Sequence, residues 1–284
     1  MARSSDNWED PPPQMTTQVA FPRMTRFTRA LLIANAALFL AQFVLYLAKE
    51  DLYLRALHHL ALSPAQWREA FPLVPVWQLA SYGFLHSVLD PMHIIGNMLM
   101  LYFFGTMLEE LLGPRPFLLT YALAQLAGAV LFLVAGIALG QNTPAYGASG
   151  AVYGVMIAVA TLRPRQTVFL LFIPITMRVL ALFIVGITLL HALVVVFKPE
   201  AGNDGTAHLV HLGGIAWGFV AAKTGLARAD PVQHLERRRA VAKVERAAAD
   251  DQRMDALLGK IHREGMAALS RDEKDFLKRV SSRK

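Results

Sequence analysis

Cysteine is absent from the 284 residues, which excludes thiol catalysis, disulfide bracing and cysteine-bound zinc. Charge is scarce too. Only 17% of the residues are charged and 55% are hydrophobic, where an ordinary soluble domain carries about 25% charged residues. The charges collect at the two ends and in short gaps between long apolar runs, the distribution of a chain that crosses a membrane several times. The net charge of +7 does not imply a nucleic-acid partner, because the basic residues are not gathered with aromatics on one soluble domain. The opening residues also lack the apolar core of a secretory signal. They are polar and proline-rich, with Glu9 and Asp10, and are expected to form a disordered tail over 1–27, the first apolar span serving as the insertion signal.

What is present is a series of apolar segments. Span one is expected from about Leu31 to Ala48, span two from Met92 to Leu112 and span three from Phe117 to Gly140. Span four runs from Gly147 to Leu162, span five from Val179 to Phe197 and span six from Ala207 to Ala222. Between spans one and two, Lys49 to Pro91 mixes charges with Trp67 and Trp77 and reads as an interfacial loop. Thr167 to Ile175, broken by Pro174, reads as a surface-lying connector.

Six spans put both termini on one side. That side carries Arg23, Arg26, Arg29, Arg115, Arg163, Arg165, Arg178, Lys223 and Arg228, against Lys49, Arg55, Arg68 and Lys198 on the other. The bias makes the termini cytoplasmic. Residues 226–284 read as a cytoplasmic helical tail: Met254, Leu257, Leu258 and Ile261 fall at helical spacing, Gly265 stops that helix, and Ser270 with Glu273 opens another.

Polar residues inside apolar spans are costly and call for a reason. Span two holds His93 and Asn97 on one helix face, span four opens with Gly147-Ala148-Ser149-Gly150, and span six holds His208 and His211 before Gly214 and Gly218. Gly150 with Gly154, and Gly214 with Gly218, are small-xxx-small pairs that let helix backbones approach in lipid. If those faces meet, Ser149 and His211 come within hydrogen-bonding reach, a nucleophile beside a base. Unpaired N–H groups at the start of span four, with His93 and Asn97, are placed to stabilise an oxyanion. No carboxylate is spaced to orient His211, so the pattern is a dyad. His191 has no polar neighbour in the sequence and reads as structural.

Together these motifs resemble the rhomboid family of intramembrane serine proteases over about residues 28 to 225. They run from Phe84-Leu85-His86 through His93-x-x-x-Asn97 and Gly105, Glu109 and Gly113 to Gly147-Ala148-Ser149-Gly150, Tyr153 and His211-x-x-Gly214-x-x-x-Gly218. The resemblance implies an all-α, six-helix bundle with a cavity opening outward. It makes Ser149 the nucleophile, His211 the base, and His93, Asn97 and the Ser149 amide the oxyanion hole. Tyr153 would stack on His211, Gly150 would be a small neighbour, and Glu109 would be structural. No metal or cofactor is implied. The partners are the lipid bilayer and transmembrane substrates that unwind at the site, with a small residue before the cut and helix-weakening Gly or Pro below it.

Two departures stand out: Val76-Trp77-Gln78 where some members have Trp-Arg, and a longer spacing from His86 to His93. Only His211 keeps the spacing to Gly214 and Gly218, so His208 is read as its neighbour. The competing readings are an inactive relative that binds transmembrane helices and a histidine-dependent transporter. A zinc protease is a further one, which the absence of a His-Glu-x-x-His motif disfavours. The compact six-span layout leads us to expect a bacterial inner membrane.

Overall fold

The computed structural model describes residues 22–170, 173–197 and 208–281; the expected disordered tail therefore lies largely outside the described residues. The chain divides into two compact units, Met1–Arg228 and Ala229–Lys284.

Among the described residues of the first unit, four helices are long and apolar enough to cross a membrane: Arg26–Ala48, Pro91–Leu112, Pro114–Ala138 and Met177–Val194. The first is α1. The second comprises α5 (Pro91–Met100), a π-helical turn (Leu101–Gly105) and α6 (Thr106–Leu112). The third is α7, and the fourth lies within α9 (Met177–Phe197). Two shorter helices accompany them, the apolar α8 (Ser149–Leu162) and α10 (His208–Thr224).

α8 is the core. None of its residues is exposed, which suits a helix apolar all round. Small residues decide which neighbours come closest. A side chain at Gly214 would run into the Gly150 carbonyl, and one at Gly218 into the Gly154 carbonyl. α10 and α8 therefore touch backbone to backbone. α7 closes on α10 in the same way, since a Cβ at Gly128 would lie 2.6 Å from the Val210 carbonyl oxygen. α1 is the opposite case: Ile33, Leu40, Val44 and Leu47 are all more than half exposed, an apolar surface of the kind that faces acyl chains.

Span two is not one uniform helix. Its π turn offsets the helical phase, so α5 presents His93 and Asn97 while α6 presents Glu109 to the start of α1. There the Glu109 carboxylate accepts from the main-chain N–H of Phe27 (2.9 Å) and Thr28 (2.8 Å) and from the hydroxyls of Thr25 and Thr28. These are the unpaired donors of a helix N-terminus, which explains a nearly buried carboxylate at this position.

The loop between spans one and two is structured. α2 (Glu50–Leu60), α3 (Pro64–Glu69), α4 (Gln78–Ser81) and a 3₁₀ turn (Tyr82–Phe84) fold it against α7. Leu62 and Ala145 exchange two main-chain hydrogen bonds of 2.9 Å. Arg68 donates to the Gln141 carbonyl at 3.1 Å and to Asn142.

The connector after α8 departs from an all-helical fold. Thr167–Leu170 (β1) and Ile173–Thr176 (β2) pair antiparallel, from Thr167↔Thr176 to Leu170↔Ile173. Val168, Phe169, Ile173 and Ile175 are β-formers, and Pro174 tolerates a two-stranded ribbon with free edges.

The second unit is helical. α11 (Pro231–Glu264) is continuous, ends at Gly265 (φ 82°), and is followed by α12 (Arg271–Ser281). Leu257, Leu269 and Phe276 form its small core. Ser270 and Glu273 cap α12 reciprocally, and Lys260 pairs with Glu273 at 3.1 Å.

Candidate active site

Ser149 is the first residue of α8 and His211 lies one turn into α10. The close approach of these helices puts His211 Nε2 2.8 Å from Ser149 Oγ. Tyr153, one turn below Ser149, stacks on the His211 ring at 4.3 Å between centroids with a 7° interplanar angle. The ring is thus held on its face by Tyr153 and at its edge by the serine. His211 itself is only 7% exposed.

Gly147 has a φ of +131°, a conformation that L side chains rarely adopt. A Cβ there would also lie 2.7 Å from His93 Nε2 and 3.8 Å from Ser149 Oγ. His93 Nε2 and the serine hydroxyl therefore border the same small space. Asn97, one turn beyond His93, is buried and its Nδ2 donates to no partner. A buried amide donor without an acceptor is costly, and it is expected where a transient acceptor binds. The Ser149 N–H, at the head of α8, has no carbonyl within its own helix to donate to. Ser149, His211 and three candidate donors are thus brought together, with Gly150, Gly214 and Gly218 in the packing that joins α8 to α10.

His208 is a neighbour of His211 as expected, whereas His191 differs from the reading of the sequence. His191 stacks on His208 (4.7 Å, 9°), and His208 lies edge-on to His211 at 6.0 Å. His191 therefore has polar company, supplied by the following helix, α10. His86 is fully buried, 5.2 Å from the His93 ring, and neither ring nitrogen makes a hydrogen bond of ordinary geometry. Burial, and then the neighbouring His93, push its pKa down to about 4, with the Phe84 main chain opposing.

The residue that sequence reasoning missed is Gln125. Its side chain on α7 donates to the Gly147 carbonyl (3.1 Å) and accepts from the Ala151 N–H (3.0 Å). The available signal was a lone glutamine inside an otherwise apolar span. Among the described residues, no group of three or more His, Asp or Glu is placed to hold a metal ion.

A family model described as the Rhomboid domain matches residues 75–228, and a second, for a family of unknown function (DUF6576), matches residues 243–283. The chain is 35% identical over 150 residues to the RHOMBOID-like protein 12, mitochondrial, of Arabidopsis thaliana, covering 48% of this chain and 43% of that protein. It is 32% identical over 83 residues to the Presenilin-associated rhomboid-like protein, mitochondrial, of Rattus norvegicus (29% and 22%) and 32% over 82 residues to that of Homo sapiens (29% and 22%). The chain thus spans less than half the length of these curated relatives. Their compartment corrects one expectation: they point to a mitochondrial membrane, not a bacterial inner membrane. A six-span layout and the sidedness of arginines do not distinguish the two, since both report the bilayer and not the organelle.

Proposed function

The chain belongs to the rhomboid family, whose members are generally intramembrane serine proteases, and from that premise we propose that it cleaves transmembrane segments with a Ser149–His211 dyad. The observation that carries the reading is the 2.8 Å contact between His211 Nε2 and Ser149 Oγ. With four long spans, α8 and α10 complete six crossings of residues 28–225. The 14 residues of α8 span about 21 Å at 1.5 Å each, short enough to leave Ser149 below the membrane surface.

The proposed reaction runs through these groups in turn. With its proton on Nδ1, His211 accepts the serine proton at Nε2 as Oγ bonds to the scissile carbonyl carbon. The carbonyl oxygen becomes an anion, met by the Ser149 N–H, Asn97 Nδ2 and His93 Nε2. Collapse breaks the C–N bond, and the amine leaves with the proton from His211. Water attacks the acyl ester, gives its proton to His211, and the serine recovers it as the acid departs. Tyr153, flat against the imidazole, keeps Nε2 aimed at Oγ through each transfer. The substrate must unwind, because a peptide bond within an intact helix is shielded from the nucleophile.

A fluorophosphonate probe on the detergent-solubilised protein tests this. Wild type and His208→Ala should be labelled; Ser149→Ala and His211→Ala should not. Absence of labelling in folded wild type would favour a relative that binds transmembrane helices without cutting them, and labelling of Ser149→Ala would mean another nucleophile.

A further inference from the structure

The turn that carries Ser149 is not capped by its own sequence. The residue preceding α8 is Ala148, which has no side-chain acceptor for the first N–H groups of the helix. The missing acceptor arrives from α7: Gln125 Oε1 takes the N–H of Ala151 at 3.0 Å, and its Nε2 donates to the carbonyl of Gly147 at 3.1 Å. One amide thus grips the turn on both sides of Ser149.

Gln125 is itself fixed. Tyr82, fully buried, donates its hydroxyl to the Gln125 carbonyl oxygen at 2.7 Å, while the Tyr82 carbonyl accepts the Gly147 N–H at 2.8 Å. Gly83 leaves room for the amide, since a Cβ there would meet Gln125 Nε2. The result is a closed circuit of three hydrogen bonds through Tyr82, Gln125 and Gly147, with a fourth from Ala151 to Gln125.

We propose that Gln125 is a positioning residue for catalysis: by spanning the Gly147 carbonyl and the Ala151 N–H it sets the direction of the intervening Ser149 N–H toward the developing oxyanion. The inference rests on the serine-protease reading above. Its physical basis is that oxyanion donors act through preorganisation, so a misaimed N–H stabilises the transition state less even where the nucleophile and base stay in contact. The glutamine also divides the helix-start donors. It satisfies the third N–H of α8 and leaves the first, that of Ser149, for the substrate. A cap with only a structural role would contribute stability without changing the chemical step.

Gln125→Met separates the two. Methionine keeps the length and bulk and removes both hydrogen bonds. Leu108→Ala is the control, a fully buried apolar site on α6 whose truncation lowers Tm by cavity formation. Full-length variants would be compared by fluorophosphonate labelling rate, by kcat and KM on a transmembrane-helix reporter, and by Tm in detergent. The expected result is a fall of about 10–100-fold in labelling rate and kcat for Gln125→Met, below the full effect of deleting an oxyanion donor. KM should hold, and Leu108→Ala should retain its rate at a matched loss of Tm. A rate for Gln125→Met no lower than that of the control overturns the proposal. Should Gln125→Met not fold, Gln125→Glu is read by the same criteria, since it keeps the acceptor for Ala151 and loses the donor to Gly147. If wild type itself is not labelled at Ser149, the protease reading fails and this one with it; if wild type is labelled and Gln125→Met matches the control, only the positioning role fails.

Discussion

At the scale of single residues, the site is built from side chains whose cost only a function or a partner offsets. His86 shows the cost in its simplest form. Its ring is 0% exposed and its nitrogens make no hydrogen bond of ordinary geometry, so the neutral form is the one the fold accepts. With a folded pKa of about 4 against an ordinary value near 6.5, the unfolded chain binds more protons throughout that window. Stability contributed by neutral His86 is complete above about pH 6.5 and declines as pH falls toward 4. Thermal unfolding of the detergent-solubilised protein from pH 7 to 4.5 should therefore show a Tm decline that is shallower in His86→Leu. Parallel declines in the two proteins would show that His86 does not carry the effect. The fluorophosphonate and Gln125 variants test the neighbouring polar residues at the same scale.

At the scale of elements, the decisive fact is that α8 and α10 meet along glycine. Ser149 and His211 are 62 residues apart, and what joins them is the absence of side chains at Gly150, Gly154, Gly214 and Gly218. Substitution there must part the helices. Gly214→Ala places a methyl against the Gly150 carbonyl and should lower labelling of Ser149 by about 100-fold or more, as expected when reacting groups are displaced by an ångström, together with a fall in Tm. Gly186→Ala on α9, where nothing lies within 4 Å, should leave both unchanged. Equal effects at the two positions would mean that helix propensity, not the close approach, governs the result. The Glu109 carboxylate at the start of α1 and the Leu62–Ala145 bridge are further joints of this kind: each ties a loop or helix end to a distant element through main-chain donors and acceptors.

At the scale of the whole molecule, every residue placed in the candidate site belongs to the unit Met1–Arg228, and the unit Ala229–Lys284 has its own core around Leu257, Leu269 and Phe276. A chain ended at Arg228 should therefore react with the fluorophosphonate at the full-length rate. A rate lowered several-fold, with Tm preserved, would show that the C-terminal unit contributes to the reaction. The mitochondrial relatives bear on this scale as well, since they correct the compartment without altering the site.

The sequence by itself determined what one-dimensional pattern can carry. Apolar run length placed the four long apolar helices to within about five residues, because crossing hydrocarbon demands such runs. The rarity of polar residues in those runs singled out His93, Asn97, Ser149, His208 and His211, because burying them is expensive. The glycine spacing even named the helix faces. The tertiary structure alone decided the rest. The His191–His208 pair and the Gln125 circuit each depend on which elements become neighbours. The β1–β2 ribbon likewise depends on two short segments finding each other. Hydrogen bonds are short-ranged and directional, so a glutamine 24 residues upstream of Ser149 acquires a role only once α7 lies beside the turn it grips.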